Sequence, residues 1–313
     1  MVRMVRLCCC DKKMNALVKC PSGVFVSNGE VFICDMYNHR VRKLLGNGQI
    51  VTIAGDGTKG YNGDHRLATE AQLDCPSGVV VSSSNQVYIS EEENHRIRKI
   101  DRNGVISTIA GTGLCGYNGD DQLAVHASVS EPRGLLVYFC DEGNDQVRKI
   151  DRNGMISTIA GNGIRGYNGD DILATDAQLY CPLSIFVYKH EIYFTDFSNH
   201  RIRKVLQNGM ITTIAGTGMY GYNGEDQPAT SAELREPYGI HVYNDRVYFS
   251  DCNSHRVRMI LPTGSSKQLL EQEIKDTVVR GSWPLNQPSI RQQEYLWMIQ
   301  EFTLLVMIQE LEK

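Results

Sequence analysis

The chain has 313 residues, with 32 Lys and Arg against 36 Asp and Glu, and a formal net charge of −4. A dedicated nucleic-acid binder usually presents a strongly basic surface, so this balance argues against DNA as a partner. The length suits one large repeat domain or two ordinary domains.

The N-terminal segment, residues 1–14, combines basic residues with a short apolar run that ends in a cysteine triplet, Leu7–Cys10. This run is too short for a signal peptide, so we expect a cytoplasmic protein whose first 14 residues are poorly ordered. S-acylation of the triplet is an alternative. We also expect no membrane span, because the apolar stretch Tyr295–Ile308 is short and contains Gln300 and Glu301.

One sequence phrase then recurs five times along the chain, with a period of about 55 residues. It reads Asn-His-Arg-(Ile/Val)-Arg-Lys at Asn38–Lys43, Asn94–Lys99 and Asn199–Lys204, and altered copies stand at Asn144–Lys149 and Ser254–Met259. The first four copies are each followed by Thr-Ile-Ala-Gly and then by Gly-Tyr-Asn-Gly-(Asp/Glu). A period of this length predicts an array of similar supersecondary units.

The unit at 182–216 shows the predicted strands most clearly. Ser184–Val187, Glu191–Thr195, Arg201–Val205 and Met210–Ala215 are apolar or alternating, and turn residues separate them. A sheet of four short strands cannot bury both faces alone, whereas radial stacking of such sheets around an axis can. We therefore predict an all-β fold, a β-propeller of four-stranded blades.

A connection of constant length, 21 residues, leads from the last strand of each unit to the proline that opens the next. We predict a turn at its Tyr-Asn-Gly-Asp phrase, since Asn-Gly supplies positive φ angles, and a short helical turn at Ala68–Leu73 and its counterparts. The position before the proline holds Cys20, Cys75, Glu131, Cys181 and Glu236. Because equivalent positions of neighbouring units lie too far apart for a disulfide, we expect reduced thiols there.

The long phrase Ile-Ala-Gly-x-Gly-x-x-Gly-Tyr-Asn-Gly-Asp, followed by Asp-x-x-Asn-His-Arg-Ile-Arg-Lys, resembles the NHL repeat. The variant is the one with a long Gly-rich connection, similar to units in teneurin-like and bacterial proteins. The resemblance implies a β-propeller of NHL repeats, usually six-bladed, that binds proteins and in some members single-stranded RNA. We expect five blades at 15–265 and a helical C-terminal tail at 266–313 that covers an open blade edge or pairs with a partner helix.

Departures from the phrase carry expectations of their own. Unit three is short between Pro132 and Asn144, so its first hairpin should be incomplete and its blade the weakest. Glu91 replaces the aspartate of Asp-x-x-Asn in unit two. Ser265–Leu270 stands where the fifth unit should have Thr-Ile-Ala-Gly, so the ring either closes with five blades or lacks one.

The repeated acidic, amide and arginine positions are predicted to be structural. Carboxylate oxygens can hold the turn between the second and third strands, and the first arginine of the phrase is expected to pair with them. These positions are Asp35, Asn38, Arg40, Asn94, Arg96, Asp196, Asn199, Arg201, Asp251 and Arg256.

Catalysis needs a unique, asymmetric group of residues, so a ring of copies predicts no catalytic residue. The repeated histidines are expected to serve turns rather than a metal: His39, His95, His200 and His255. We predict neither a metal nor a cofactor.

The predicted function is a non-catalytic interaction platform that binds a protein partner through its loops. The connections are long, alike and loop-rich, so copies of one contact would give avidity. The candidate partner-binding residues are Tyr61, Asn62, Tyr117, Asn118, Tyr167, Asn168, Tyr222 and Asn223. Two alternatives stay open. Single-stranded RNA would need a basic strip beside these tyrosines, and a propeller hydrolase or lyase with an axial metal would need three or more dissimilar His, Asp or Glu side chains at the axis.

Overall fold

The computed structural model describes residues 18–134, 138–254 and 256–268. The predicted N-terminal segment, His255 and residues 269–313 of the predicted tail lie outside these ranges. The described chain is an all-β, five-blade antiparallel β-propeller, as the sequence predicts.

Blade 1 is a sheet in the order β1-β2-β3-β4. Its strands are β1 (Pro21–Ser27), β2 (Glu30–Asp35), β3 (Arg40–Leu44) and β4 (Ile50–Ala54). The other blades repeat this meander and add a two-residue strand beside the last one. Blade 2 comprises β5 (Arg66–Leu67), β6 (Pro76–Val81), β7 (Val87–Glu91), β8 (Arg96–Ile100) and β9 (Val105–Ala110). Blade 3 comprises β10 (Gln122–Leu123), β11 (Pro132–Arg133), β12 (Tyr138–Asp141), β13 (Gln146–Ile150) and β14 (Met155–Ala160). Blade 4 comprises β15 (Ile172–Leu173), β16 (Pro182–Tyr188), β17 (Glu191–Asp196), β18 (Arg201–Val205) and β19 (Met210–Ala215). Blade 5 comprises β20 (Gln227–Pro228), β21 (Pro237–Tyr243), β22 (Arg246–Asp251), β23 (Arg256–Ile260) and β24 (Ser265–Gln268).

The added edge strand belongs to the connection that arrives from the preceding blade, and the sequence did not predict it. In blade 2, Arg66 and Leu67 pair with Ile106 and Val105 of β9. A 3₁₀ turn follows the edge strand, as predicted, at Ala68–Glu70, Ala124–His126, Ala174–Asp176 and Ala229–Ser231. Further 3₁₀ turns separate the second and third strands, at Met36–Asn38, Glu142–Asn144, Phe197–Asn199 and Cys252–Ser254.

The predicted strands of blade 4 are confirmed. The tight turn between β16 and β17 consists of Lys189 and His190, whose φ angles of 49° and 64° suit a two-residue hairpin. In blade 3 the described part of the first hairpin is β11 and β12, and its incompleteness stays a prediction because residues 135–137 lie outside the described ranges. In blade 5, β24 pairs with β23 without the Thr-Ile-Ala-Gly phrase, so three residues assigned to the tail belong to the sheet.

The chain divides into two compact units, Met1–Ile164 and Arg165–Lys313. The side chain two positions before each acidic turn is at most 2% exposed: Ile33, Ile89, Phe139, Phe194 and Phe249. In the first unit Ile97 of blade 2 packs with Phe139 of blade 3, and in the second Ile202 of blade 4 packs with Phe249 of blade 5. Burial of one such side chain contributes about 1.5–3 kcal/mol, so contact with the next sheet stabilises each blade.

Candidate binding loops at the strand ends

Three loop segments lie at one end of each sheet. In blade 4 they are the end of the incoming connection before Pro182, the 3₁₀ turn Phe197–Asn199 and the start of the outgoing connection after Ala215. Because the strands are antiparallel, the first strand begins at the edge where the second and fourth strands end. The connections and the acidic turns therefore share this end of each blade.

The acidic residue of each turn joins the turn to the incoming connection. Asp196 accepts hydrogen bonds from Asn199 Nδ2 at 2.9 Å and from a backbone N–H of the incoming connection at 2.8 Å. Glu91 accepts the corresponding bonds in blade 2, from Asn94 at 3.0 Å and from the backbone at 3.1 Å. The longer glutamate side chain therefore replaces the aspartate and keeps the turn.

The second arginine of the phrase pairs with this carboxylate. Arg203 is fully buried, and its guanidinium lies 3.3 Å from Asp196 Oδ2 and 3.1 Å from Asp170 Oδ1. Asp170 ends the Tyr-Asn-Gly-Asp phrase of the incoming connection. The same double pairing recurs at Arg98, Arg148 and Arg258. A buried guanidinium between two carboxylates therefore fixes each incoming connection to its blade.

The first arginine makes different bonds from those predicted. Arg96 donates to the carbonyls of Asn94 at 3.0 Å and Thr112 at 2.6 Å, and Arg201 repeats the pattern at 3.0 and 2.8 Å. It thereby links the acidic turn to the start of the outgoing connection. The predicted pairing of the first arginine with the acidic turn is wrong, because the second arginine occupies that carboxylate and leaves the first to bind carbonyl oxygens.

The predicted partner-binding tyrosines lie against these arginines. The guanidinium carbon of Arg201 is 3.7 Å from the ring centroid of Tyr167, a cation–π distance. Corresponding pairs are Tyr61 with Arg96 and Tyr222 with Arg256, whereas in blade 3 Gln146 replaces the first arginine and Tyr117 lies 4.8 Å from the second, Arg148. Tyr117 keeps 48% of its surface exposed, so part of the ring stays accessible to a partner.

The asparagines beside them close the connection on itself. Asn168 Nδ2 donates to the carbonyl of Asp176 at 3.0 Å, and its Oδ1 accepts from the backbone of Gln178 at 2.8 Å. Equivalent pairs of bonds fix Asn62, Asn118 and Asn223. The side-chain amides predicted to bind a partner are therefore engaged in hydrogen bonds that stabilise their own connection.

The most exposed large apolar side chains of the described residues share one repeat position that the sequence analysis missed. They lie three residues after the Ala-Gly glycine: Leu114 is 69% exposed, Ile164 58% and Met219 66%. We call them the tip residues, and we call the Tyr-Asn-Gly-(Asp/Glu) phrase the base of the connection. The signal in the sequence was an apolar side chain directly after a Gly-x-Gly turn in three of four connections.

A cluster of charged side chains lies at the strand ends of blades 2 and 3. Arg133 contacts Glu92 at 2.8 Å and also pairs with Glu142. Burial, partly offset by Arg133, raises the pKa of Glu92 to about 7. In the second unit the corresponding positions are aromatic, and Phe197 and Tyr238 meet edge to face with centroids 6.3 Å apart. This position therefore varies in chemistry from blade to blade.

Three dissimilar side chains of metal-ligand type meet where blade 1 adjoins the entry to blade 2. Ligand atoms of His39, Asp74 and Cys75 all lie within 4.8 Å of one another. Burial lowers the pKa of His39 and raises that of Cys75 to about 12. The sequence predicts no metal because the histidines stand at a repeated position. In this group the repeated histidine meets an aspartate and a cysteine that occur side by side before the proline of no other unit.

Comparison with known proteins identifies the repeat. The NHL repeat family model matches residues 19–44 and 73–100. NHL repeat-containing protein 2 of Gallus gallus is 37% identical over 93 residues, 29% of this chain. Teneurin-4 of Homo sapiens is 34% identical over 98 residues, 27% of this chain. The aligned segments span 12% and 4% of those two proteins.

Solved structures of low sequence identity also match the chain, and the first below shares its fold. A chain of a nidogen–laminin complex is 14% identical with a TM-score of 0.55, over 82% of this chain and 81% of that chain. Virginiamycin B lyase of Staphylococcus aureus is 17% identical with a TM-score of 0.49, over 80% of this chain and 69% of that one. None of the helices in the described ranges has the length and apolar character needed to cross a bilayer.

Proposed function

We propose that this chain, an NHL-repeat β-propeller, is a non-catalytic interaction platform that binds a protein partner through the tips of its connections. The observation that carries the proposal is the exposure of Leu114, Ile164 and Met219, each held out by a connection whose base is fixed internally. An apolar side chain on a rigid loop loses little conformational freedom on binding, so it suits a protein contact. Partly exposed tyrosine rings of the same connections add the aromatic surface that is enriched at interfaces.

The test compares two variants of the full chain. The double variant Leu114→Ser, Met219→Ser removes a tip from each compact unit. The control Val187→Ser removes a side chain that is 42% exposed but lies near the other end of its strand. Both variants should keep the wild-type melting temperature. A protein captured from the native lysate by the wild type and the control should bind the tip variant at least about tenfold more weakly once purified, which corresponds to about 1.4 kcal/mol.

Equal binding by all three chains would contradict the proposal. Capture that disappears after ribonuclease treatment would instead favour RNA. We also propose a cytoplasmic location, supported by the seven cysteines of the described residues, which are thiols rather than disulfides.

A further inference from the structure

We propose that His39, Asp74 and Cys75 form a zinc site that joins blade 1 to blade 2. The three residues come from two loops of the first compact unit, 35 and 36 positions apart in the chain. Such a site would staple the acidic turn of blade 1 to the incoming connection of blade 2, a function separate from partner binding at the tips.

The backbone holds the ligands in place. His39 ends the 3₁₀ turn Met36–Asn38 in the left-handed conformation, with φ of 51°. Cys75 is also left-handed, with φ of 46°, directly before Pro76. Their ligand atoms and that of Asp74 lie within 4.8 Å of one another. Zinc–ligand bonds of about 2.0–2.3 Å in a tetrahedron place ligand atoms roughly 3.3–3.8 Å apart, so adjustment of about 1 Å would close the site.

Asp74 supplies the observation that points to a cation. The residue is 6% exposed, and apart from the thiol of Cys75 in the same group its Oδ1 has no hydrogen-bond partner. His39 Nδ1, which accepts a backbone hydrogen bond, lies 3.7 Å from Oδ1, and the ammonium group of Lys59 lies 3.7 Å from Oδ2. A buried carboxylate oxygen with only a weak thiol donor is poorly satisfied, and a bound cation would compensate it.

The other blade junctions show that the fold itself does not require this group. The positions equivalent to His39, Asp74 and Cys75 are His95, Ser130 and Glu131 at the next junction of the first unit, and His200, Arg235 and Glu236 at the junction within the second unit. His39 Nδ1 accepts a long 3.4 Å bond from the Cys75 backbone, and His95 accepts one of 3.2 Å from Glu131. The histidine therefore has a backbone role at both junctions, whereas the aspartate and the thiol coincide with it at the first.

The ligand set fits zinc. A thiolate with an imidazole and a carboxylate is a donor set that Zn²⁺ takes readily, and harder ions such as Mg²⁺ and Ca²⁺ prefer oxygen alone. Binding forms the Zn–S bond as the thiol proton of Cys75 leaves to solvent. Three protein ligands leave the fourth tetrahedral position for water or for a side chain of a bound partner.

The test is titration of the full, reduced chain with Co²⁺ and then Zn²⁺. The parent for every variant carries serine at Cys8, Cys9 and Cys10, so that the triplet contributes no thiolate. We expect one equivalent of Co²⁺ with thiolate-to-cobalt charge-transfer absorption, which Zn²⁺ displaces. Cys75→Ser should abolish that absorption, and Asp74→Asn should weaken Zn²⁺ binding by at least about 10–100-fold, the range known for lost supporting groups.

The matched control is Cys181→Ser, at the same repeat position but preceded by Tyr180 instead of an aspartate. It should leave both the spectrum and the affinity unchanged. Zn²⁺ should also raise the melting temperature of the parent and of the control, but not of Cys75→Ser, whose folding circular dichroism checks. An unchanged cobalt spectrum in Cys75→Ser, or a parent that binds neither ion, would overturn the proposal.

Discussion

The base and the tip of each connection lie a few residues apart. The base is fixed by ion pairs and hydrogen bonds, whereas the tip is exposed to solvent. At the base, Asp170 pairs with a buried arginine and Asn168 bonds two backbone groups. At the tip, Met219 and Leu114 expose about two thirds of their surface. The base repeats nearly unchanged from blade to blade, while the tip varies among Thr58, Leu114, Ile164 and Met219. Repetition therefore marks the internal contacts, and variation marks the surface that is available to a partner.

The buried arginine should show the largest effect. Arg203→Ala leaves Asp196 uncompensated in the interior, so we expect a loss of about 3–5 kcal/mol in the free energy of unfolding. The neighbouring Lys204→Ala, which removes a pair with Glu191 at 2.6 Å on a more exposed face, should cost less than about 1 kcal/mol. Urea denaturation measures both. Similar losses in the two variants would remove the distinction between base contacts and surface pairs.

Glu92 occupies a repeat position whose residue type changes from blade to blade, as at the tips, although its side chain is largely buried. Its pKa is about 7 in the folded chain against 4.5 unperturbed, so the folded state alone keeps the proton between these pH values. Stability should therefore fall as pH rises through this window, by about 2–3 kcal/mol. Glu92→Gln should remove that fall, measured as the difference in unfolding free energy between pH 4 and pH 8. An unchanged pH profile in the variant would show that Glu92 is ionised throughout.

The base asparagine should have a moderate effect. Asn168→Ala removes two hydrogen bonds to the backbone of its own connection, and we expect a loss of about 1–2 kcal/mol. The melting temperature should fall by roughly 2–8 °C for a domain of this size. Tyr167→Ala should cost about 0.5–1 kcal/mol through its contact with Arg201. If both variants melt like the wild type, the base is not needed for folding and is available to bind a partner.

The tips should have the smallest effect on folding. Leu114→Ser and Met219→Ser should each change the unfolding free energy by less than about 0.5 kcal/mol, as surface substitutions usually do. Leu179→Ser, at a buried leucine of the same kind of connection, serves as the positive control and should destabilise the chain severely. A tip variant that unfolds as readily as this control would mean that the tips are packed rather than presented.

Periodicity predicted the strands because each strand carries its own alternation, and β16 to β19 lie where the pattern of blade 4 placed them. It could not predict Ile172–Leu173, since two residues carry no period. Nor could it decide between Arg201 and Arg203, because the choice depends on Asp170, more than 30 residues earlier. The grouping of His39 with Cys75 was hidden for the same reason: their proximity is set by how blade 2 packs on blade 1, not by spacing in the chain.

Each connection adds an edge strand to the following sheet. The structural blade therefore begins earlier in the chain than the sequence repeat that starts at the proline. Blade 2 takes Asp64, Arg66 and Leu67 from the stretch before Pro76, so a fragment cut at that proline would lose both an outer strand and one of the two counter-ions of Arg98. Duplication, deletion or transplantation of one blade should therefore keep the preceding Gly-Tyr-Asn-Gly segment with it. The natural seam between modules lies at the tips, where a change of sequence disturbs the fewest bonds.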